Sequence, residues 1–325
     1  MNIIVQKYGG TSLETLEKIE YAIKKIKAKT KYKNKVVVVV SAQGKTTDKL
    51  VEKSKKFGGE KGTKELDMLL SIGELESAAL FSMLMNKNGI DTIALSGREA
   101  GIITDSNYGK ADIIGVYPDR ILEELNKNKV VVVAGFQGVD KYGYTTTLGR
   151  GGSDFTAVIL AKALHAKTCE IYSDIDGVYA ADPKIVKDAQ LLEKIRMDEM
   201  LELATAGAKV MHNSSIMAAM NSDTQLFVKN AVKEERGTEL LKKEDIFVDD
   251  IVKITKKDKL SKVTLVGHGY ISRREKVKEI VDILDKEKIN TYMIQISEIS
   301  VSLLVDEEES KRLMNVLNSK LNMKS

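Results

Sequence analysis

Short runs of β-branched residues alternate with amphipathic segments over the first two thirds of the chain. Ile3 to Gln6 reads as a strand and is followed by a helical pattern from about Leu13 to Ala28. Val36 to Val40 is a continuous valine run, the pattern of a strand buried on both faces of a parallel sheet, and Asp48 to Lys56 after it reads helical. Further strands are expected at Thr92 to Leu95, Val130 to Ala134 and Thr168 to Tyr172. Helices are expected at Leu66 to Asn86, Pro118 to Asn126 and Asp154 to Leu164. Such alternation predicts an α/β sandwich around a mostly parallel sheet. From about Val232 the periodicity fades into a charged stretch, Lys233 to Asp250, which we read as a boundary. The expected domains are 1–244 and 245–325. In the second, strand Lys262 to Val266, helix Arg273 to Lys286, strands Asn290 to Ile296 and Ser300 to Val305, and helix Glu307 to Leu321 follow in the order β-α-β-β-α of a ferredoxin-like module.

Composition narrows the class. The 325 residues are 43 % apolar and 30 % charged, as in globular proteins, and the length favours two domains over one. A formal net charge of +4, from 51 basic and 47 acidic side chains spread along the chain, gives no basic face for nucleic acid. One cysteine, Cys169, and no apolar leader at the start argue against a disulfide framework and for a cytoplasmic protein. The uninterrupted apolar runs are far short of the ~20 residues that span a bilayer, so no membrane is expected. The three histidines, at 165, 212 and 268, and the cysteine have no metal-ligand spacing, and no protein metal site is expected. Methionines 83, 85, 211, 217 and 220 sit at helical spacings and are read as packing.

The candidate chemistry lies where strands run into glycine- and hydroxyl-rich turns that open helices: KYGGTS (Lys7 to Ser12), SAQGKTTD (Ser41 to Asp48) and LGRGGSD (Leu148 to Asp154). Glycine lets main-chain N–H groups converge on an anion, and the helix N-terminus adds its positive dipole end. Three such turns suit a polyphosphate. None is a Walker A loop, since Val39 stands where the first glycine should be. Gly267-His268-Gly269 also fails the dinucleotide fingerprint, because Ser272 replaces its last glycine. Lys7 would project over the carboxyl edge of the sheet, where α/β proteins bind ligands, although alone it reads more readily as a solvated lysine.

These turns, with SIGELESA (Ser71 to Ala78), SDIDGVYAADPK (Ser173 to Lys184) and GAKVMH (Gly207 to His212), resemble the aspartokinases of the amino-acid kinase family, in the family's order and near its spacing. The resemblance implies a three-layer α/β/α sandwich that binds ATP and aspartate across the strand ends, with a C-terminal ACT module. It implies transfer of the γ-phosphoryl group to the β-carboxylate of L-aspartate, with magnesium, at the head of lysine, threonine and methionine biosynthesis. By the same resemblance Lys7, Arg150 and Asp154 are catalytic, with Lys7 the main transition-state cation and Asp154 orienting it or a magnesium water, or serving as a plain N-cap. Thr47, Glu74, Arg150, Gly151, Gly152 and Ser153 would bind aspartate. Lys7, Tyr8, Gly9, Gly10, Ser41, Ser173, Asp174, Tyr179, Asp182, Lys184 and Lys209 would bind the nucleotide; Tyr179 alone reads more readily as a packed aromatic. A carboxylate acceptor needs no general base, in keeping with a site of lysines, arginine and glycine amides.

Three departures stand out. His212 is followed by Asn213 where relatives carry proline, and Lys184 stands where many have arginine. There is room for one ACT module, with Asp250 to Lys256 resembling the opening strand of a mostly missing first one, and the turn GHGYISRRE lacks the usual glycine-proline-glycine character. Control by lysine or threonine is left open, and assembly as a homodimer or higher oligomer through the remaining module is expected. The alternatives are an amino-acid kinase with another carboxylate acceptor and a non-catalytic sensor of nucleotide or amino acid.

Overall fold

In a computed structural model, residues 2–233, 237–242, 245, 253–266, 274–297 and 299–322 are described. The contacts divide the chain into two compact units, Met1–Thr255 and Lys256–Ser325. The first contains, in chain order, β1 (Ile3–Tyr8), α1 (Leu16–Lys31), β2 (Lys35–Val40), α2 (Thr46–Lys56), α3 (Lys64–Lys87), β3 (Thr92–Leu95), β4 (Ile102–Thr104), β5 (Ile113–Val116), α4 (Asp119–Asn126), β6 (Val130–Ala134), β7 (Gln137–Val139), β8 (Thr145–Thr147), α5 (Gly152–Ala163), β9 (Thr168–Ser173), β10 (Lys194–Arg196), α6 (Met197–Thr205), α7 (Asn213–Met220), β11 (Gln225–Asn230) and β12 (Gly237–Leu241).

Eight strands form one sheet in the order β10-β12-β11-β9-β1-β2-β6-β3, parallel except for the β11–β12 pair. The central strands are apolar on both faces because helices cover both. Ile3, Val5, Val37, Val39, Val131 and Val133 face a core shared with α4, α5, α6 and α7. The alternate residues Tyr8, Val36, Val38, Val40, Val130 and Val132 face a second core built with Ile19, Ala22, Ile23 and Ile26 of α1 and Ala78, Phe81 and Met85 of α3. This is the expected three-layer sandwich. Thr15 and Thr63 accept main-chain N–H groups at the starts of α1 and α3, which fixes where those helices begin.

The first helix was expected from Leu13; instead a 3-10 turn occupies Gly10–Leu13, and the α-helix waits for the Thr15 cap. A separate sheet, β5-β4-β7-β8, has strands of three or four residues, too short for a two-residue period to register. It is tied to α3 by Asp67, whose carboxylate accepts from Thr147 N (2.7 Å), Thr147 Oγ1 (2.9 Å) and Gly109 N (2.9 Å). Of the methionines expected in the core, Met85 and Met211 are buried, whereas Met83 and Met217 are 65 % and 49 % exposed.

The second unit holds β13 (Leu260–Val266), α8 (Arg274–Lys286), β14 (Thr291–Ile296), β15 (Ser300–Asp306) and α9 (Glu307–Asn322). Its three strands pair antiparallel in the order β13-β15-β14, and Val301, Leu303 and Val305 pack with Ile280, Ile283, Leu284, Leu313 and Leu317 of the helices. Residues 267–273, including the GHGYISR turn and Arg273, lie outside the described residues, as do 250–252. The remainder of the expected opening strand is not a strand: Ile254 N donates to Ala180 O, and Lys253 pairs with Glu199 at 3.0 Å within the first unit.

Candidate active site

The carboxyl ends of β9, β1, β2 and β6 lie side by side, and each ladder continues one residue into the following turn. Gly9 N donates to Tyr172 O, Ser41 N to Tyr8 O and Gly135 N to Val40 O. The turns therefore start from one line and interlock. Gly44 N donates to Gly10 O (3.0 Å), and a Cβ on Gly10 would stand 2.4 Å from the carbonyl oxygen of Ala42, so glycine is required there.

Lys7 lies inside β1, between Val39 and Ile171 of its neighbours, because β1 runs to Tyr8 rather than stopping at Gln6. Its side chain is on the face of Ile3 and Val5 and is buried apart from its tip. Nζ stands 2.7 Å from Asp154 Oδ1 in the first turn of α5, an ion pair whose angles fall short of a hydrogen bond. Asp154 thus pairs with Lys7 and does not cap α5, whose N-cap is Gly151, in the left-handed region at φ 73° with no side-chain cap. Gly152 N donates to Gly149 O, and the N–H groups of Ser153 and Asp154 are left without a side-chain acceptor. Ser153 is buried against Gly135, where an added Cβ would meet its own at 2.8 Å; Gly152 is held as closely by Phe136. Arg150, just before this turn, is exposed and has no hydrogen bond or ion pair among the described residues.

Across the Ser41–Lys45 turn stands Glu74, 4 % exposed in the middle of α3. Its Oε1 accepts Ala42 N at 3.1 Å, and its Oε2 is buried with no hydrogen-bond partner. Burial pushes this carboxyl up to about 7 against the opposing pull of the Ala42 N–H. Gly73 lets α3 approach the turn: a Cβ there would be 2.8 Å from Ala42 Cβ and 3.4 Å from Thr46 Cγ2. Thr47, the second residue of α2, is partly exposed next to that contact.

The residues expected to hold the nucleotide divide. Gly9, Gly10 and Ser41 belong to the interlocked turns. The Tyr8 side chain points away from them, fully buried and stacked on Tyr172 at 4.8 Å, so only its main chain reaches the site. Ser173 ends β9 and its Oγ accepts Ile175 N; Asp174 beside it is exposed. Tyr179 is half-buried and donates to Asp176 Oδ2 (3.2 Å). Asp182 and Lys184 sit in an exposed turn joined by the hydrogen bond from Lys184 N to Asp182 Oδ1, and among the described residues no hydrogen bond or ion pair links them to the glycine turns. Lys209 is exposed, three residues before His212, whose Cβ and Cγ would stand 2.4 and 2.9 Å from a Cβ added to Gly151. The helix that starts at Asn213, where relatives carry proline, is capped by His212, whose Nδ1 accepts Ser214 N.

Sequence reasoning missed Asp176, Asn230 and Lys233. Asp176 accepts from Asn230 Nδ2 (2.7 Å) and Lys233 Nζ (2.9 Å), and Asn230 Oδ1 accepts the N–H groups of Val232 and Lys233. The Lys233 hydrogen bond holds the Asp176 carboxyl below its usual range. Their signal was present, since Asp176 lies in the SDIDG run and Asn230 ends a strand, but pairing across 54 residues is not written in either segment.

Comparison with known proteins agrees with this architecture. Residues 2–230 match the amino acid kinase family and residues 263–321 match an ACT domain. The aspartokinase of Geobacillus stearothermophilus is 44 % identical over 270 residues, 82 % of this chain and 66 % of that protein. Aspartokinase 2 of Bacillus subtilis is 41 % identical over 90 % of this chain and 72 % of its own length. The chain thus spans about two thirds of the curated relatives it matches. Among solved structures, Escherichia coli aspartokinase III in complex with aspartate and ADP superposes with a TM-score of 0.78 at 25 % identity, covering 98 % of this chain and 83 % of that one. The same enzyme with lysine and aspartate gives 0.73 at 26 % identity. With its sheet order, glycine turns and family match in agreement, this chain belongs to the amino acid kinase family.

Proposed function

We propose that the chain phosphorylates L-aspartate on its β-carboxylate with ATP, forming 4-phospho-L-aspartate, the first step towards lysine, threonine and methionine. The observation that carries this reading is a buried cation and a buried, half-unpartnered carboxylate flanking one set of glycine turns. Lys7, held by Asp154, and the amides of Gly10 and the α5 N-terminus suit the phosphoryl oxygens. Glu74 Oε2 suits the substrate ammonium, which would supply the partner this oxygen lacks. Arg150, free at the rim, clamps a substrate carboxylate in its planar fork, with Thr47 and Ser153 beside it. Ser173, Asp174, Tyr179, Asp182, Lys184 and Lys209 bind the nucleotide from the β9 side. The two substrates are anions, and the fixed positive groups between them lower the repulsion that opposes in-line attack.

The donor set fits magnesium carried on the nucleotide. No three acidic, histidine or cysteine side chains among the described residues are placed to hold a metal ion together, and Asp154 is already paired with Lys7. Magnesium favours phosphate oxygens and waters in this setting and would neutralise phosphate charge. We further propose that the chain acts in the cytoplasm as a homo-oligomer and that its ACT-type unit is the place for any amino-acid effector, of which lysine, bound by the E. coli neighbour, is the first to test.

A coupled assay of ADP release over aspartate, glutamate and N-acetylated amino acids tests the reading. Aspartate should be preferred, and Lys7→Ala should lower kcat by on the order of 10² or more. Preference for an acylated amino acid would refute the Glu74 assignment, and binding of both ligands without turnover would favour a sensor.

A further inference from the structure

The turn that joins β4 to β5 is held by its own side chains and by its neighbours. Asp105 Oδ1 accepts the N–H groups of Asn107 (3.2 Å) and Asp112 (3.0 Å). Asn107 Nδ2 donates to Lys110 O (3.0 Å), and Lys110 N donates to Asn107 O (3.1 Å). On either side of Lys110, Gly109 N donates to Asp67 Oδ2 (2.9 Å) and Ala111 N to Thr147 O (2.8 Å). Lys110 therefore has a fixed main chain between two anchored neighbours, although its side chain is exposed.

The same contacts set that side chain beside the candidate active site. The Asp67 carboxylate that accepts Gly109 N also accepts Thr147 N and Oγ1, so one buried group clamps both segments to α3. After Thr147 the chain reaches the carboxyl edge of the main sheet, where Leu148 N donates to Phe136 O (2.9 Å), and continues through Gly149 to Arg150. A Cβ on Gly149, at φ 74°, would stand 3.3 Å from Gly109 O and 3.8 Å from Lys110 Cγ. The stem of Lys110 thus lies along the residue that precedes Arg150. On α3, Asp67 and Glu74 are both buried and stand two turns apart, ~10 Å along the axis. The anchor of Lys110 and the carboxylate proposed for the substrate ammonium share one helix face.

Neither Lys110 nor Arg150 has an ion pair or a side-chain hydrogen bond among the described residues. The acids around them are engaged, Asp67 and Asp105 with main-chain N–H groups and Asp140 with Ser106 and Tyr108, and the exposed Asp112 pairs with neither cation. One unpaired lysine on a surface is ordinary. Two unpaired cations fixed about one glycine repel each other until an anion lies between them. We infer, on the acceptor assignment proposed above, that Lys110 is a second binding cation for the α-carboxylate of the amino-acid substrate, shared with Arg150. An arginine fork takes one lone pair from each carboxylate oxygen and leaves others open, and an ammonium fills one of these. The β-carboxylate must meet phosphorus at the buried Lys7 end, whereas the unreacting α-carboxylate stays at the exposed rim where Lys110 and Arg150 stand. Lys110 then sets specificity, separating an amino acid with a free α-carboxylate from one whose α-carboxyl is amidated.

Steady-state kinetics of the full chain with ATP and either L-aspartate or its α-amide test this role. The α-amide keeps the ammonium and the β-carboxylate and lacks only the α-carboxylate charge. Lys110→Met should raise KM for aspartate by ~10-fold, leave kcat and KM for ATP nearly unchanged, and shrink the preference for aspartate over the α-amide by the same factor. Lys110→Arg should restore most of both. Lys141→Met removes the same charge from the β7–β8 turn and should behave as the wild type. Both positions are exposed, so circular dichroism should be unchanged in every variant. An unchanged KM for aspartate in Lys110→Met, a loss equal for aspartate and the α-amide, or a rise confined to KM for ATP would overturn the inference. Absence of aspartate turnover by the wild-type chain would instead overturn the kinase reading, and the role of Lys110 with it.

Discussion

At the scale of single residues, Glu74 has the most telling environment. A carboxyl pushed up to about 7 by burial binds a proton in the folded chain at pH values where the unfolded chain has already released it. Its contribution therefore destabilises the fold progressively as pH rises from the ordinary carboxylate range through 7. Glu74→Gln should raise Tm at pH 8 and leave it nearly unchanged at pH 4, as scanning calorimetry of the ligand-free protein would show. The same variant should raise KM for aspartate by ~10-fold or more and flatten its pH dependence between 6 and 8, since the charged form is the one that pairs an ammonium. A wild-type KM that does not rise below pH 7 would contradict that role. Gly10→Ala probes the turns: its methyl meets the Ala42 carbonyl and must part the two loops, lowering ADP affinity and costing ~1–3 kcal/mol of stability.

Among elements, α3 does three jobs with three faces. It closes one core, supplies Glu74, and through Asp67 anchors β8 and the residue 109 turn. Asp67→Ala would leave the main-chain N–H groups of Gly109 and Thr147 without their acceptor, at ~2–5 kcal/mol. Urea denaturation followed by circular dichroism should show that loss. The long helix and the valine strands were legible because burial on both sheet faces writes itself as unbroken apolar runs. The Lys7–Asp154 pairing was legible only as one of three options for Asp154, since a separation of 147 positions carries no local sign of contact. The Glu74–Ala42 bond was invisible for the same reason, and the β4–β5–β7–β8 sheet because its strands are shorter than one reliable period. Met83 misled because helical spacing states that a stripe exists, not which side of the helix is covered.

In the whole molecule, two units carry separate hydrophobic cores, one on both faces of the eight-stranded sheet and one between α8, α9 and the three-stranded sheet. Units with their own cores unfold as their own cooperative blocks. Calorimetry of the full chain should resolve two transitions, and ADP with aspartate should raise the larger one alone. A single transition shifted as a whole by these ligands would show that the units are energetically fused.

Neighbouring residues of β1 divide the labour of the central strand: Lys7 pairs with Asp154 on one face and Tyr8 stacks on Tyr172 on the other. Because strand side chains alternate, a slip of one position would drive an ammonium into the aromatic core and swing a phenol among the glycine turns. Placement of the charge is thereby proofread during folding by the packing of the opposite face, and mutations that loosen the tyrosine stack should blunt turnover without touching any group that meets a ligand.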